Sequence, residues 1–97
     1  MKVLGIDPGT ITMGYGMVEN ISEELTTCFH GSLSAKRADP IEERLASLYC
    51  GILAIIDNHG PEVIAIEEPF VARNPKTAIA VGQAQAVALI AASSRKI

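Results

Sequence analysis

The stretch Lys2-Val3-Leu4-Gly5-Ile6-Asp7-Pro8-Gly9-Thr10 is a short apolar run that ends on one carboxylate and is stopped at once by Pro-Gly. Such a run bounded by a turn dipeptide reads as a β-strand. An acid on its last position sits at the sheet's edge, held by a rigid element yet open to solvent. The chain has a second place of this kind, Val63-Ile64-Ala65-Ile66-Glu67-Glu68-Pro69, again apolar residues, then acid, then proline. The two strands are expected to lie side by side and to bring Asp7 and Glu67 together as ligands for a divalent metal.

The intervening sequence supplies the topology that this requires. Met13 to Glu19 reads as a second strand after the Pro8-Gly9-Thr10 turn, with Gly14 and Gly16 marking close approach of another group. Leu25 to Leu33 reads as a third strand after the polar turn Asn20 to Glu24, which makes an antiparallel meander. Ser34 to Ala38 is a loop. Asp39-Pro40-Ile41-Glu42 then gives an N-cap acid, proline at the first helical position and glutamate at the third. Ile41, Leu45, Leu48, Ile52 and Ile55 build one apolar helical stripe, and His59-Gly60-Pro61 stops it. Glu62 to Glu67 is near-continuously apolar, as in a strand buried on both faces in the middle of a sheet. The crossover makes it parallel to the first strand, with both acids at one edge. A second helix starts at Asn74-Pro75 and runs to about Ala92. Ala78, Gly82 and Ala86 form a stripe without bulk along it, suited to the sheet or to a second copy. The fold class is α/β: a three-strand antiparallel meander plus a parallel fourth strand with two helices.

Ninety-seven residues, 48% hydrophobic, suffice for one domain spanning 1–97 with a real core. The apolar run Ala78 to Ala92, interrupted by Gln83 and Gln85, is shorter than the roughly 20 residues of a bilayer span. The N-terminus has no signal-peptide pattern, so a cytoplasmic protein with no membrane partner is expected. Cys28 and Cys50 show neither zinc nor disulfide spacing and read as buried thiols. The formal charge of −3 counts against a nucleic-acid binder, although a carboxylate metal site itself adds negative charge. His30 and His59 lie in no motif and read as surface or helix-end residues. Tyr15 reads as packing over the strand end, and Arg95-Lys96 as a solvated end.

Two carboxylates at a sheet edge serve either as an acid–base pair or as ligands for a hard cation. Mg²⁺ suits the second role, because one or two carboxylates plus substrate phosphate oxygens satisfy it. Two such ions about 4 Å apart activate a water and stabilise the leaving oxygen of a phosphodiester.

Gly5-Ile6-Asp7-Pro8-Gly9-Thr10, Gly14-Tyr15-Gly16, Ala65-Ile66-Glu67-Glu68-Pro69-Phe70 with Arg73-Asn74, and Gly82-Gln83-Ala84 occur in one order along nearly the whole chain. In this the sequence resembles the RuvC family of Holliday junction resolvases. The resemblance implies an RNase H-like fold and a Mg²⁺-dependent homodimeric endonuclease, with two ions per site. It implies paired symmetric nicks in four-way junction DNA, in concert with branch-migration helicase machinery. It places the family's catalytic, metal-binding acids on Asp7 and Glu67. Glu68, next along the strand, points to the opposite face. Phe70 matches an aromatic near the junction's crossover, where the choice lies between base stacking and core packing. Arg73 and Lys76 are either phosphate contacts or surface charges.

The family completes its acidic site with two further aspartates on a C-terminal helix, and no acid follows Glu68 here. The expectation is therefore a fragment, truncated before the final strand and C-terminal helix, that binds Mg²⁺ poorly and does not cleave by itself. The first loop is also similar to the phosphate loop of actin-like ATPases and sugar kinases. An RNase H-like family that trims ribosomal RNA precursors likewise begins with a strand ending in Asp-x-Gly. A non-catalytic module dimerising through the small-residue helix is a third alternative.

Overall fold

The computed structural model describes residues 1–68 and 74–97. Its elements are β1 (Lys2–Asp7), β2 (Thr12–Ile21), β3 (Glu24–Ser34), α1 (Ile41–His59), β4 (Val63–Ile66) and α2 (Pro75–Ser94). The strands form one sheet in the order β3-β2-β1-β4. β1 pairs antiparallel with β2 and parallel with β4, and β2 pairs antiparallel with β3. Meander, crossover helix and parallel return strand therefore stand as expected.

Side chains alternate across this sheet. Leu4, Ile6, Met13 and Met17 point to one face, where they join Leu48, Ile52 and Ile56 of α1 and Ala84, Ala88 and Ala91 of α2 in a single buried core. Tyr15 and Phe29 pack against that core edge to face, with ring centroids 5.9 Å apart. The Tyr15 ring lies so close over Gly31 that a Cβ there would stand 2.8 Å from its hydroxyl. Tyr15 is thus a packing residue.

Several expectations shift. The long β2–β3 hairpin turns on Ser22 and Glu23, both with positive φ, the paired left-handed geometry that matches strand twist. Its register slips between Met17 and Val18, so that Cys28 is left over in a bulge. Cys28 and Cys50 are both exposed, not buried: one sits at this bulge on an edge strand, the other on the solvent side of α1. β4 is an edge strand, not a central one; Val63 is 41% exposed, and only Ile64 and Ile66 pack towards the core. β1 and β2 are the strands paired on both sides.

At the start of α1 the cap is Pro40, with ψ 157°, and no side-chain cap bond forms. Asp39 instead closes a turn by donating its N–H to the Lys36 carbonyl, and its own carbonyl accepts from Arg44 Nε at 3.1 Å. The other end follows the sequence: Gly60 adopts φ 58° and donates its N–H to the Ile56 carbonyl. The buried line on α1 ends on Ile56, with Ile55 only partly buried. α2 begins with Asn74 Oδ1 accepting from the Lys76 N–H at 3.0 Å and with proline in the first turn.

The buried small residues of α2 are Ala84, Ala88, Ala91 and Ala92, whereas Gly82 and Ala86 face outward. Of the two partners expected for the stripe of Ala78, Gly82 and Ala86, the fold's own core is therefore not the one it packs on. α2 also has the length and composition of a membrane span, against the expectation of a run too short. Here its alanine line packs on α1, while most of its apolar length stays outside the core. Nothing stands within 4 Å of a Cβ added at Gly82. Gly82→Ala is accordingly expected to raise stability by about 0.5–1 kcal/mol, the cost of glycine in a helix interior, read as a higher denaturation midpoint.

The C-terminal end of α2 is tied to α1 by Tyr49 and Ser94, whose hydroxyls are 2.9 Å apart, and by Arg95, which donates to both oxygens of Asp57 at 2.7 and 2.9 Å. Arg95 is therefore a bridging residue and not a free solvated end. Its hydrogen bonds hold the Asp57 carboxyl below the usual carboxylate range, against the opposing effect of desolvation and with a lesser contribution from its charge. The pair's contribution is complete above the ordinary carboxylate pKa and lost as pH falls through the lowered one. Both groups are exposed, so this tie is weak.

Candidate metal and nucleic-acid site

The second face of the sheet is open. It carries Gly5 and Asp7 from β1, Gly14 and Gly16 from β2, and Ala65 and Glu67 at β4, all lining one concavity of about 630 Å³. The parallel register pairs Val3 with Val63 and Ile6 with Ile66, and it continues one step further, because the Glu67 N–H donates to the Ile6 carbonyl at 2.9 Å. That bond sets Glu67 beside Asp7, on the same face, with no strand between them. Opposite Asp7 stands Gly14, where an added Cβ would lie 3.6 Å from the Asp7 Cβ and 4.0 Å from its Oδ2. Both are ordinary van der Waals distances, so a small side chain there would touch the aspartate without displacing it.

Asp7 is exposed, and so is Glu67. Among the described residues the only salt bridge is that of Arg95 with Asp57, and no side-chain hydrogen bond reaches either acid. Two neighbouring carboxylates with no salt bridge among the described residues repel each other unless a cation joins them. Oxygen donors of this kind, open to water, fit a hard divalent ion. The described residues contain no group of three or more potential metal ligands.

Glu68 does not line the concavity. Lys76 is exposed in the first turn of α2. Phe70 and Arg73 lie outside the described residues. His30, which no motif marked, lines the same open face, its Cβ close to the position a Cβ at Gly16 would take. Its spacing along β3 carried no signal, since only the strand pairing sets it there. His59 stacks on Phe29 at the end of α1, with centroids 4.1 Å apart, away from the acids.

The approach of Asp7 to its surroundings depends on the turn that follows. A Cβ on Gly9 would collide with the carbonyl oxygen of Thr12, which is backbone and unable to swing aside. Gly9→Ala is expected to cost about 1–3 kcal/mol, the range of overpacking, and to lower the thermal midpoint accordingly.

A meander with a parallel fourth strand, helices on one face and an acid at each of two adjacent strand ends is the architecture of the RNase H-like α/β proteins. The sequence matches the family model described as crossover junction endodeoxyribonuclease RuvC over residues 3–97. A crossover junction endodeoxyribonuclease RuvC from Dehalococcoides mccartyi is 44% identical over 97 residues, and one from Chloroflexus aurantiacus is 47% identical over 91. The chain spans 58% and 56% of their respective lengths. The structure of T. thermophilus RuvC in complex with a Holliday junction substrate superposes with a TM-score of 0.91 at 28% identity, covering all of this chain and 62% of that one. An Aquifex aeolicus PPX-GPPA enzyme shares the fold alone, at a TM-score of 0.58 and 13% identity. The chain belongs to the RuvC family. Family membership separates the chain from the actin-like ATPase, sugar kinase and ribosomal RNA-processing families that its first loop resembles.

Proposed function

We propose that these 97 residues form part of a Mg²⁺-dependent endonuclease that resolves four-way DNA junctions by paired, symmetric nicks in recombination and repair. The observation that supports this is the pair of carboxylates, Asp7 and Glu67, on one open sheet face and without a salt bridge among the described residues, in a chain of this family. Asp7 and Glu67 hold the metal, two ions per site in the whole protein. The ions, when bound, polarise the scissile phosphate and lower the pKa of an attacking water. The chain's own share is to fix both carboxylates on adjacent strands, so that no reorganisation is needed as charge develops. Lys76, with Phe70 and Arg73, contacts the DNA. Two copies act together as a homodimer on the two strands of the junction, supplied by branch-migration helicase machinery, in the cytoplasm. The junction-bound T. thermophilus relative supports junction DNA as the substrate.

The test has two arms. The 97-residue chain, with two carboxylates to offer, is expected to show weak Mg²⁺-dependent shifts at Asp7 and Glu67 by NMR and to leave a synthetic four-way junction uncut. A protein extended to the full length of its relatives is expected to nick opposite strands at symmetric positions. Failure of that folded, junction-bound protein to cut refutes the function, and efficient cutting by residues 1–97 refutes the division of labour.

A further inference from the structure

Beside the turn that follows Asp7 lies a second open cavity of about 480 Å³. Thr10 and Thr12 of the β1–β2 turn, Arg37 of the turn before α1, and Lys76 and Thr77 of the first turn of α2 line it. Among the described residues no carboxylate lines it, in a chain whose acids outnumber its bases by 11 to 8. Neither Arg37 nor Lys76 forms a salt bridge there, since the only one among the described residues joins Arg95 and Asp57. Arg44 stands behind the turn, with Nη1 donating to Thr10 Oγ1 at 3.3 Å. The Thr10 oxygen is thereby engaged as an acceptor, and its own proton is left to donate outward. The positive end of α2 adds to the same field.

We propose that this cavity seats a backbone phosphate of the nucleic-acid strand, a neighbour of the one presented to Asp7 and Glu67. Two unpaired cations and three hydroxyls without an acid match the charge and the acceptor-only chemistry of a phosphodiester. Residues 9 to 12 form one wall of the cavity directly after Asp7, so a strand lying over the acids has its adjoining phosphate within reach of the turn. The inference rests on the proposed nuclease reading for the path of the strand. A phosphate contact positions the strand and carries no information on sequence or branching.

The experiment measures fluorescence anisotropy of a labelled four-way junction and of a plain duplex against salt, using the 97-residue chain. Its variants are Arg37→Ala, Lys76→Ala, the double substitution and Arg37→Lys. Each alanine is expected to weaken both DNAs several-fold and to reduce the slope of log K on log salt by about 1, the double by about 2, while Arg37→Lys keeps the slope. Titration with inorganic phosphate is expected to move the NMR amide signals of Thr10, Thr12 and Thr77, and to move them no longer in the double variant. An unchanged slope in the double variant, amide signals indifferent to phosphate, or a chain that binds neither DNA overturns the proposal. Mg²⁺ shifts at Asp7 and Glu67 are read separately, so a failed metal site and a failed phosphate seat give different patterns.

Discussion

Asp7→Asn, introduced into the protein at the full length of its relatives, is expected to lower the single-turnover rate of junction cleavage about a thousandfold or more while leaving junction binding at least as tight. The two halves of that result have separate physical causes. Asparagine keeps the size of aspartate, and Asp7 is exposed with no side-chain hydrogen bond to lose among the described residues, so the strand and its ladder stay intact. What is removed is one of the carboxylates proposed to hold the ion, and metal stabilisation of the transition state is worth several kcal/mol. At about 1.36 kcal/mol per factor of ten, a loss of some 4 kcal/mol gives the expected thousandfold. Binding moves the other way, because a carboxylate beside a phosphate is repulsive when no ion joins them. Glu67→Gln is expected to give a loss of the same order, and the double variant little more than either single one, since both side chains act through the same ions. Single-turnover rates and equilibrium binding, measured on one junction, check all three statements. Weakened binding at an unchanged rate would remove both acids from the chemistry.

The sequence carried the site's placement further than the packing around it. A strand ending in Asp-Pro and another ending in Glu-Glu-Pro are strong local signals, and their parallel pairing followed from counting strands and one crossover helix. Whether Val63 to Ile66 lay inside the sheet or at its edge did not follow, because a short apolar run reads alike in both places. The phase of α2 was hidden for a related reason: an alanine-rich helix is apolar nearly all round, so Ala78, Gly82 and Ala86 looked no different from the alanines at 84, 88 and 91 that the core selects. The cap of α1 moved by one residue because the Asp39 backbone closes a turn with Lys36 and accepts from Arg44 of the helix's own start, with no side-chain cap bond. The cation-lined cavity was illegible for the simplest reason. Thr10, Arg37 and Lys76 come from three segments, and net charge, the one global signal available, pointed the other way.

Leu4→Ala is expected to remove about 4 kcal/mol of stability, near the upper end of the 2–5 kcal/mol range for such truncations. Leu4 is wholly buried, opposite Met17 on β2 and Ile64 on β4, so its strand is held by ladders on both sides. Where such a cavity can collapse, the cost is low; here the backbone on either flank is fixed by hydrogen bonds and the cavity stays open. A domain of this size has roughly 5–15 kcal/mol in all, so the loss consumes a large share of it. Leu25→Ala serves as the control. It has the same chemistry at a position 75% exposed on the outer hairpin, and it is expected to change stability by less than about 0.5 kcal/mol. Urea denaturation followed by far-UV circular dichroism distinguishes the two, with the difference appearing in the midpoint at constant slope. Because β1 both anchors this core and ends on Asp7, the Leu4 variant should also lose its Mg²⁺ response at the urea concentration where its far-UV signal falls. A Mg²⁺ response lost well before that point would mean that the end of β1 opens independently of the core. The carboxylates would then not be positioned by the rigid strand from which their chemistry has been argued.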